Sequence, residues 1–283
     1  MNRRLFFCAL LIVGILQSQD SDTDDAPSDA HQNRWQMFSY DMGNIFLGIG
    51  HAYSRPLHWK GEQWRNFGLT LAGTGVAYLF DDAVSDAFRD IREDVPEFIR
   101  TYGAEYGSPT YNYMLTGAVY FTALGFKDEK LRRTGVLLIS SATAAGFLQQ
   151  VLKSAVGRAR PLSEKNKDTY RPFWSGGKDF HSFPSGHAIL AMTNAHAIAK
   201  QFRSPWVKAG IYTLGGIPAI SRLWEGKHWL SDVVFSVAVS IFMVESIDRY
   251  LDSKYDQKYL ENAKKVSWNL NIGIGQIGVT GRF

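Results

Sequence analysis

Three groups of residues in this chain have types and spacings suited to work on a phosphate. Lys153 and Arg160 lie seven apart and are followed by Pro161; Phe183-Pro184-Ser185-Gly186-His187 follows; then come Ser221-Arg222, His228 and Asp232. Taken singly, each group has an ordinary reading: a solvated helix end, a turn that opens a helix, a satisfied surface pair. Taken together they supply three permanent cations, two histidines, a carboxylate and a small Ser-Gly turn. Phosphoryl transfer spreads charge over the non-bridging oxygens, so fixed cations and N–H donors aimed at those oxygens are what lower its barrier.

The spacing assigns the parts. Lys153 and Arg160 share one helix face if the helix runs on through Gly157, and Pro161 stops the run. Arg222 adds a planar fork that suits bidentate phosphate contact. Ser185 and Gly186 precede a helix, whose free N–H groups and dipole favour an anion, and Ser185 is a good N-cap. His228 and Asp232 are four apart, one helix face. Asp232 can then accept from one imidazole nitrogen and leave the other free to attack phosphorus. His187 is the candidate acid for the leaving oxygen. His196 is nine residues beyond His187, half a helical turn away in direction, and faces elsewhere; it and His181 are read as structural.

Lys153–Pro161 fits Lys-x6-Arg-Pro, Pro184–His187 reads Pro-Ser-Gly-His, and Ser221–Asp232 fits Ser-Arg-x5-His-x3-Asp. With these three motifs in this order the chain resembles the type 2 phosphatidic acid phosphatase and vanadium haloperoxidase superfamily. The resemblance implies a metal-independent phosphoric monoester hydrolase with no cofactor, working through a phosphohistidine on His228 oriented by Asp232. It implies that His187 protonates the leaving alcohol while Lys153, Arg160, Ser185, Gly186 and Arg222 hold the phosphoryl oxygens. Within the same superfamily a vanadium-dependent haloperoxidase is the alternative, favoured less because such enzymes are typically much larger. A non-catalytic envelope protein that binds lipid head groups is the other, and it has no need of a nucleophile.

The elements that must position these residues read as helices. Asn66–Phe80 is an uncharged run rich in small residues. Asp82–Val95 places Val84, Phe88, Ile91 and Val95 at helical spacing, and Pro96 ends or kinks it. Tyr111–Phe126 and Thr134–Leu152 are apolar, His187–Phe202 follows the Pro-Ser-Gly turn, Gly215-Gly216 and Pro218 interrupt Trp206–Ile220, and Trp229–Tyr250 closes the series. Trp35–Trp59 reads as short irregular or helical pieces. The expected fold class is an all-α bundle of about six core helices, ending in a short C-terminal β hairpin or strand. Val266, Trp268, Leu270, Ile272 and Ile274 alternate with polar or small residues, and the phase slips by one at Gln276.

With 283 residues, 45% hydrophobic and 20% charged, the composition is globular. A net charge of +4 with no basic block argues against nucleic acid as a partner. Asn2-Arg3-Arg4, the apolar run Leu5–Leu16 and the small residue Ser18 have the layout of a secretory signal peptide, and the single cysteine, Cys8, lies inside it. The expected division is a signal peptide over 1–18, an acidic leader over 19–34, a helical phosphatase domain over 35–255 and a strand tail over 256–283. The expected place is the cell envelope: periplasm, with membrane association left open. Thr134–Leu152 is nearly long enough to span a bilayer but carries several polar residues, and the charged stretch Asp81–Arg100 favours a water-facing bundle. The expected ligand is a phosphorylated lipid or a small phosphomonoester.

Overall fold

The computed structural model describes residues 33–173, 177–263, 267–273 and 276–282, with side chains through 256. The expected signal peptide and all but the end of the leader therefore lie outside the described residues. Nine α-helices are present among them: α1 Arg34–Ser54, α2 Gly61–Leu79, α3 Asp81–Asp90, α4 Glu97–Tyr106, α5 Pro109–Phe126, α6 Glu129–Val156, α7 Gly186–Ala199, α8 Pro205–Trp224 and α9 Leu230–Ala263.

The fold-class expectation is corrected on this point. The body has nine helices, not about six, and no strand is among its described elements. Trp35–Trp59, read as broken pieces, is mostly one 21-residue helix. A reciprocal cap starts it: Asn33 Oδ1 accepts from the Gln36 amide at 2.8 Å, and Gln36 Oε1 accepts from the Asn33 amide at 3.0 Å. The α-helix in the Asp82–Val95 stretch stops at Asp90, before Pro96, which sits at the N-cap of a further short helix, α4. Two strands, β1 Ser267–Gly273 and β2 Gln276–Arg282, pair antiparallel with each other and contribute no layer to the bundle.

The centre of the bundle is α7, whose sequence GHAILAMTNAHAIA is almost entirely buried. Small residues on it let α6, α8 and α9 approach closely. The clearest case is Gly215 on α8, where a Cβ would stand 2.3 Å from that of Ala195. A larger core joins α1, α5, α6, α7 and α9 around Tyr120, Val136, Leu137, Ile189, Val244 and Ile247. A smaller one, Ala188, Met192, Ala219, Leu223 and Val233, lies next to the motif residues.

The glycines and proline of 215–218 do not interrupt α8 as expected; the helix runs through Pro218. Proline lacks the N–H that would pair with the carbonyl four residues back. That carbonyl, of Leu214, instead accepts from the Tyr102 hydroxyl at 3.2 Å. Some polar residues of the α6 run lie inside: Ser140 Oγ donates to the Val136 carbonyl, and Gln149 is buried, whereas Gln150 is exposed. Helices Glu129–Val156 and Leu230–Asp256 are long and apolar enough to cross a membrane.

Candidate active site

The connection from α6 to α7 carries the first two motifs. The α6 helix stops at Val156 because Gly157 takes a left-handed conformation (φ 58°), where a Cβ would lie 1.9 Å from the Arg171 carbonyl oxygen. Lys153 and Arg160 therefore do not share a helix face, contrary to the spacing argument. Lys153 stays on the last turn of α6, and Arg160 comes from an extended segment pinned on several sides. The Arg160 amide donates to the Asp179 carbonyl at 2.8 Å, the Ser182 amide to the Arg158 carbonyl at 3.0 Å, and the Trp229 indole to the Ala159 carbonyl at 2.8 Å.

At the start of α7, Ser185 Oγ caps the helix by accepting from the Ala188 amide, and the Ser185 amide donates to Ser236 Oγ at 2.8 Å. The Ser185 N–H is thus already engaged. Helix geometry leaves the amides of Gly186 and His187 to be satisfied from outside the helix. Gly107 abuts His187, with the position of a Cβ 2.8 Å from the His187 Cβ, and His187 Nε2 lies 3.2 Å from the Ala104 carbonyl oxygen.

The third motif is a closed turn. The Arg222 carbonyl accepts from the amides of both Lys227 and His228 at 3.0 and 3.3 Å, and Gly226 takes the left-handed conformation inside it. Arg222 is buried, with its guanidinium held by Ser221 Oγ at 2.8 and 2.9 Å. His228 precedes α9 rather than riding on it, so the helix-face argument for His228 and Asp232 does not apply. Their side chains are 3.8 Å apart (Nδ1 to Oδ2), beyond a hydrogen bond. The group nearest His228 Nδ1 is the Ser182 carbonyl, at 2.5 Å. This contact fixes the proton on Nδ1 and leaves the Nε2 lone pair available.

Asp232 acts one step back. It accepts from Ser182 Oγ and from the Trp229 amide at 3.0 Å, and it receives Arg158 Nη1 at 2.7 Å. Arg158 in turn reaches Asp81 Oδ2 at 2.7 Å and Ser231 Oγ at 2.8 Å, while Asp81 also accepts from the Ser231 amide and hydroxyl. Asp81, Arg158 and Asp232 are all buried, and Arg158 also lies over the rings of Tyr78 and Trp229. Sequence reasoning missed Asp81, Arg158, Ser182 and Ser231. Two signals were available: Arg158 falls within Lys-x6-Arg-Pro, and Asp81 comes directly after an uncharged run.

Electrostatics tie the motif residues into one group. The pKa of His228 is held down to about 4, first by burial and then by the charges of Lys153 and Arg160, with Asp232 opposing them. That of His187 is pushed down to about 3 by burial, then by Arg222 and His228. Burial lowers Arg222 to about 10, and Arg160 adds to the shift. His228 thus lies within charge reach of Lys153, Arg160 and His187, and Arg222 within reach of Arg160 and His187. Positive charge is concentrated where two imidazoles are kept neutral, an arrangement suited to an anion.

Comparison with known proteins agrees with this reading of the motifs. Residues 134–251 match the family model described as PAP2 superfamily, the superfamily named above from the three motifs. The chain is 30% identical over 126 residues to a lipid A 1-phosphatase of Porphyromonas gingivalis, covering 43% of this chain and 25% of that protein. It is 30% identical over 142 residues to an undecaprenyl-diphosphatase of Sulfolobus acidocaldarius, covering 48% of this chain and 60% of the other. Among solved structures, a transmembrane PAP2 type phosphatidylglycerolphosphate phosphatase from Bacillus subtilis aligns with a TM-score of 0.48 and 18% identity, covering 76% of this chain and 96% of that one. The alignments to the curated relatives thus span between a quarter and three fifths of those proteins' lengths.

Proposed function

We propose that this chain is a membrane-associated phosphatase that hydrolyses lipid phosphate monoesters or diphosphates through a phosphohistidine on His228, with no metal needed in any step. The observation that carries the reading is the state of His228: buried, deprotonated at neutral pH, its Nδ1 held by the Ser182 carbonyl, and within charge reach of Lys153 and Arg160. In the first step His228 Nε2 attacks phosphorus while the bond to the leaving oxygen breaks. His187 passes a proton to that oxygen. In the second step water attacks the phosphohistidine, His187 takes up the water proton, and the N–P bond breaks to release inorganic phosphate and restore His228. Lys153, Arg160, Arg222 and the amides of Gly186 and His187 hold the phosphoryl oxygens as charge builds on them. A bound dianion also raises the pKa of His187, because it offsets the Arg222 charge that otherwise lowers it.

The lipid class rests on the named activities of the relatives, lipid A 1-phosphatase and undecaprenyl-diphosphatase, together with two helices of spanning length. Large exposed apolar side chains, among them Trp35, Phe46, Phe121, Phe147 and Trp206, suit contact with a bilayer. The test is turnover on a panel of lipid phosphates, a polyprenyl diphosphate and soluble monoesters, paired with trapping of the intermediate. Wild type should give an acid-labile, base-stable phosphoenzyme, and His228→Ala should give neither phosphoenzyme nor product while melting normally. Retained hydrolysis in that variant removes the mechanism. Activity confined to soluble monoesters removes the lipid assignment and leaves the mechanism standing.

A further inference from the structure

A cavity of about 340 Å³ lies along α9, away from the chemistry. Its walls are apolar. Trp59, Trp64 and Phe67 form one side, with Trp59 packed against Phe242 of α9 at 6.1 Å between ring centroids. Phe235 closes the end toward the motif residues, and its ring stands 4.8 Å from that of Phe183, immediately before Pro184. Five polar residues break the apolar lining: Arg55, Gln63, Thr70, Ser246 and Arg249. Arg55 and Arg249 border it, and neither has a carboxylate within ion-pair distance among the described residues. Ser246 also lines it, with a buried hydroxyl that has no hydrogen-bond partner. His51 registers the basic cluster: burial, then the charges of Arg55, His58 and Arg249, lower its pKa.

An apolar cleft with a few convergent polar groups, at the lower end of the ~300–1,000 Å³ range, is the usual form of a small-ligand site. Two arginines without acidic partners select an anion, and rings over the remaining surface select hydrocarbon. We propose that this cavity is an accessory binding site for an anionic phospholipid, its phosphate on Arg55 and Arg249 and its acyl chain running between Trp59, Trp64 and Phe242 toward Phe235. The occupant is not the substrate. Arg249 is seventeen residues beyond Asp232 on one helix, about 25 Å along the axis, so one phosphate cannot sit at both places. The chain end would press on Phe235 and, through Phe183, on the loop that opens α7. The inference does not depend on the catalytic reading.

The experiment uses the full chain in zwitterionic detergent micelles and reads quenching of tryptophan fluorescence by brominated phosphatidylglycerol against brominated phosphatidylcholine. The anionic lipid should bind at least about tenfold more tightly. Arg55→Gln with Arg249→Gln should bring that preference close to one while leaving hydrolysis of a soluble phosphomonoester unchanged, and Trp59→Phe with Trp64→Phe should remove the part of the quenching that distinguishes the two lipids. His228→Ala should bind as wild type does. Equal binding of the two lipids, a preference that survives the double arginine change, or binding lost in His228→Ala would each overturn the proposal. The last would put the lipid at the catalytic residues instead.

Discussion

Replacing Arg158 with Met is the most informative single perturbation, because this one guanidinium bridges two buried carboxylates. It meets Asp232 and Asp81 at 2.7 Å each, and all three side chains are at most 2% exposed. Removing one partner of a buried ion pair leaves uncompensated charge and costs on the order of 3–5 kcal/mol. Arg158→Met leaves two such carboxylates supported only by Ser182, Ser231 and the Trp229 amide, so the cost should fall at the upper end of that range. Asp81→Asn removes the outer carboxylate alone and should cost less. If the three groups act as one network, the losses will not add: in the double variant, Asp81→Asn spares Arg158→Met one of its orphaned charges. A coupling of about 1–3 kcal/mol in the double-mutant cycle is expected. The assay is chemical denaturation of the four proteins in one detergent, with kcat on a soluble monoester alongside. Because Arg158 acts on His228 only through Asp232 and Ser182, kcat should fall more than KM rises, and Arg158→Lys should recover stability partly and turnover less. A cost below about 1 kcal/mol for Arg158→Met, or additive losses, would refute the account of how His228 is held.

Two further outcomes follow from the same geometry. In the pH profile, kcat/KM should fall as pH drops through about 4, where His228 takes up a proton in the free enzyme; Arg160→Gln removes a repelling cation and should move that limb upward, whereas a limb near pH ~6 from the substrate's second ionisation should stay in place. Stability should change in the same sense, since the unfolded chain binds a proton at His228 below about 6.5 and the folded one only near 4, so stability rises with pH across that window. Gly107→Ala would place a methyl group 2.8 Å from the Cβ of His187 and 3.1 Å from its Cα. About 1–3 kcal/mol of overpacking is expected, with turnover reduced by displacement of the imidazole, and normal kcat with unchanged stability would contradict the close approach of Gly107 to α7.

The sequence alone determined the residue types and their order. Lys153, Arg160, the Ser185-Gly186-His187 turn, Arg222 and the His228/Asp232 pair could be named because phosphate chemistry calls for cations, small residues and imidazoles, and those survive as spelling. It also placed most of the long helices, since apolar runs bounded by proline and glycine leave a periodic trace. The helix count was not legible. Trp35–Trp59 mixes aromatics with glycines whose tolerance depends on neighbours, as Gly48 against Tyr250 shows; α8 runs through Pro218 because Tyr102, over a hundred residues away, supplies the donor that its neighbour Leu214 lacks.

Only the tertiary structure decided how the His228 side chain is held. Spacing pointed to Asp232 as the direct partner of His228. Instead a carbonyl from the Pro-Ser-Gly-His loop stands at the imidazole, and Asp232 steadies that loop from behind through Ser182. The charge needed to keep Asp232 ionised in a dry interior comes from Arg158, held in turn by Asp81 at the head of α3. Contacts between residues separated by 46, 50, 74 and 77 positions carry no signature in local pattern. They exist because burying a carboxylate without a cation is too costly to persist, and the fold brings one from wherever the chain can supply it.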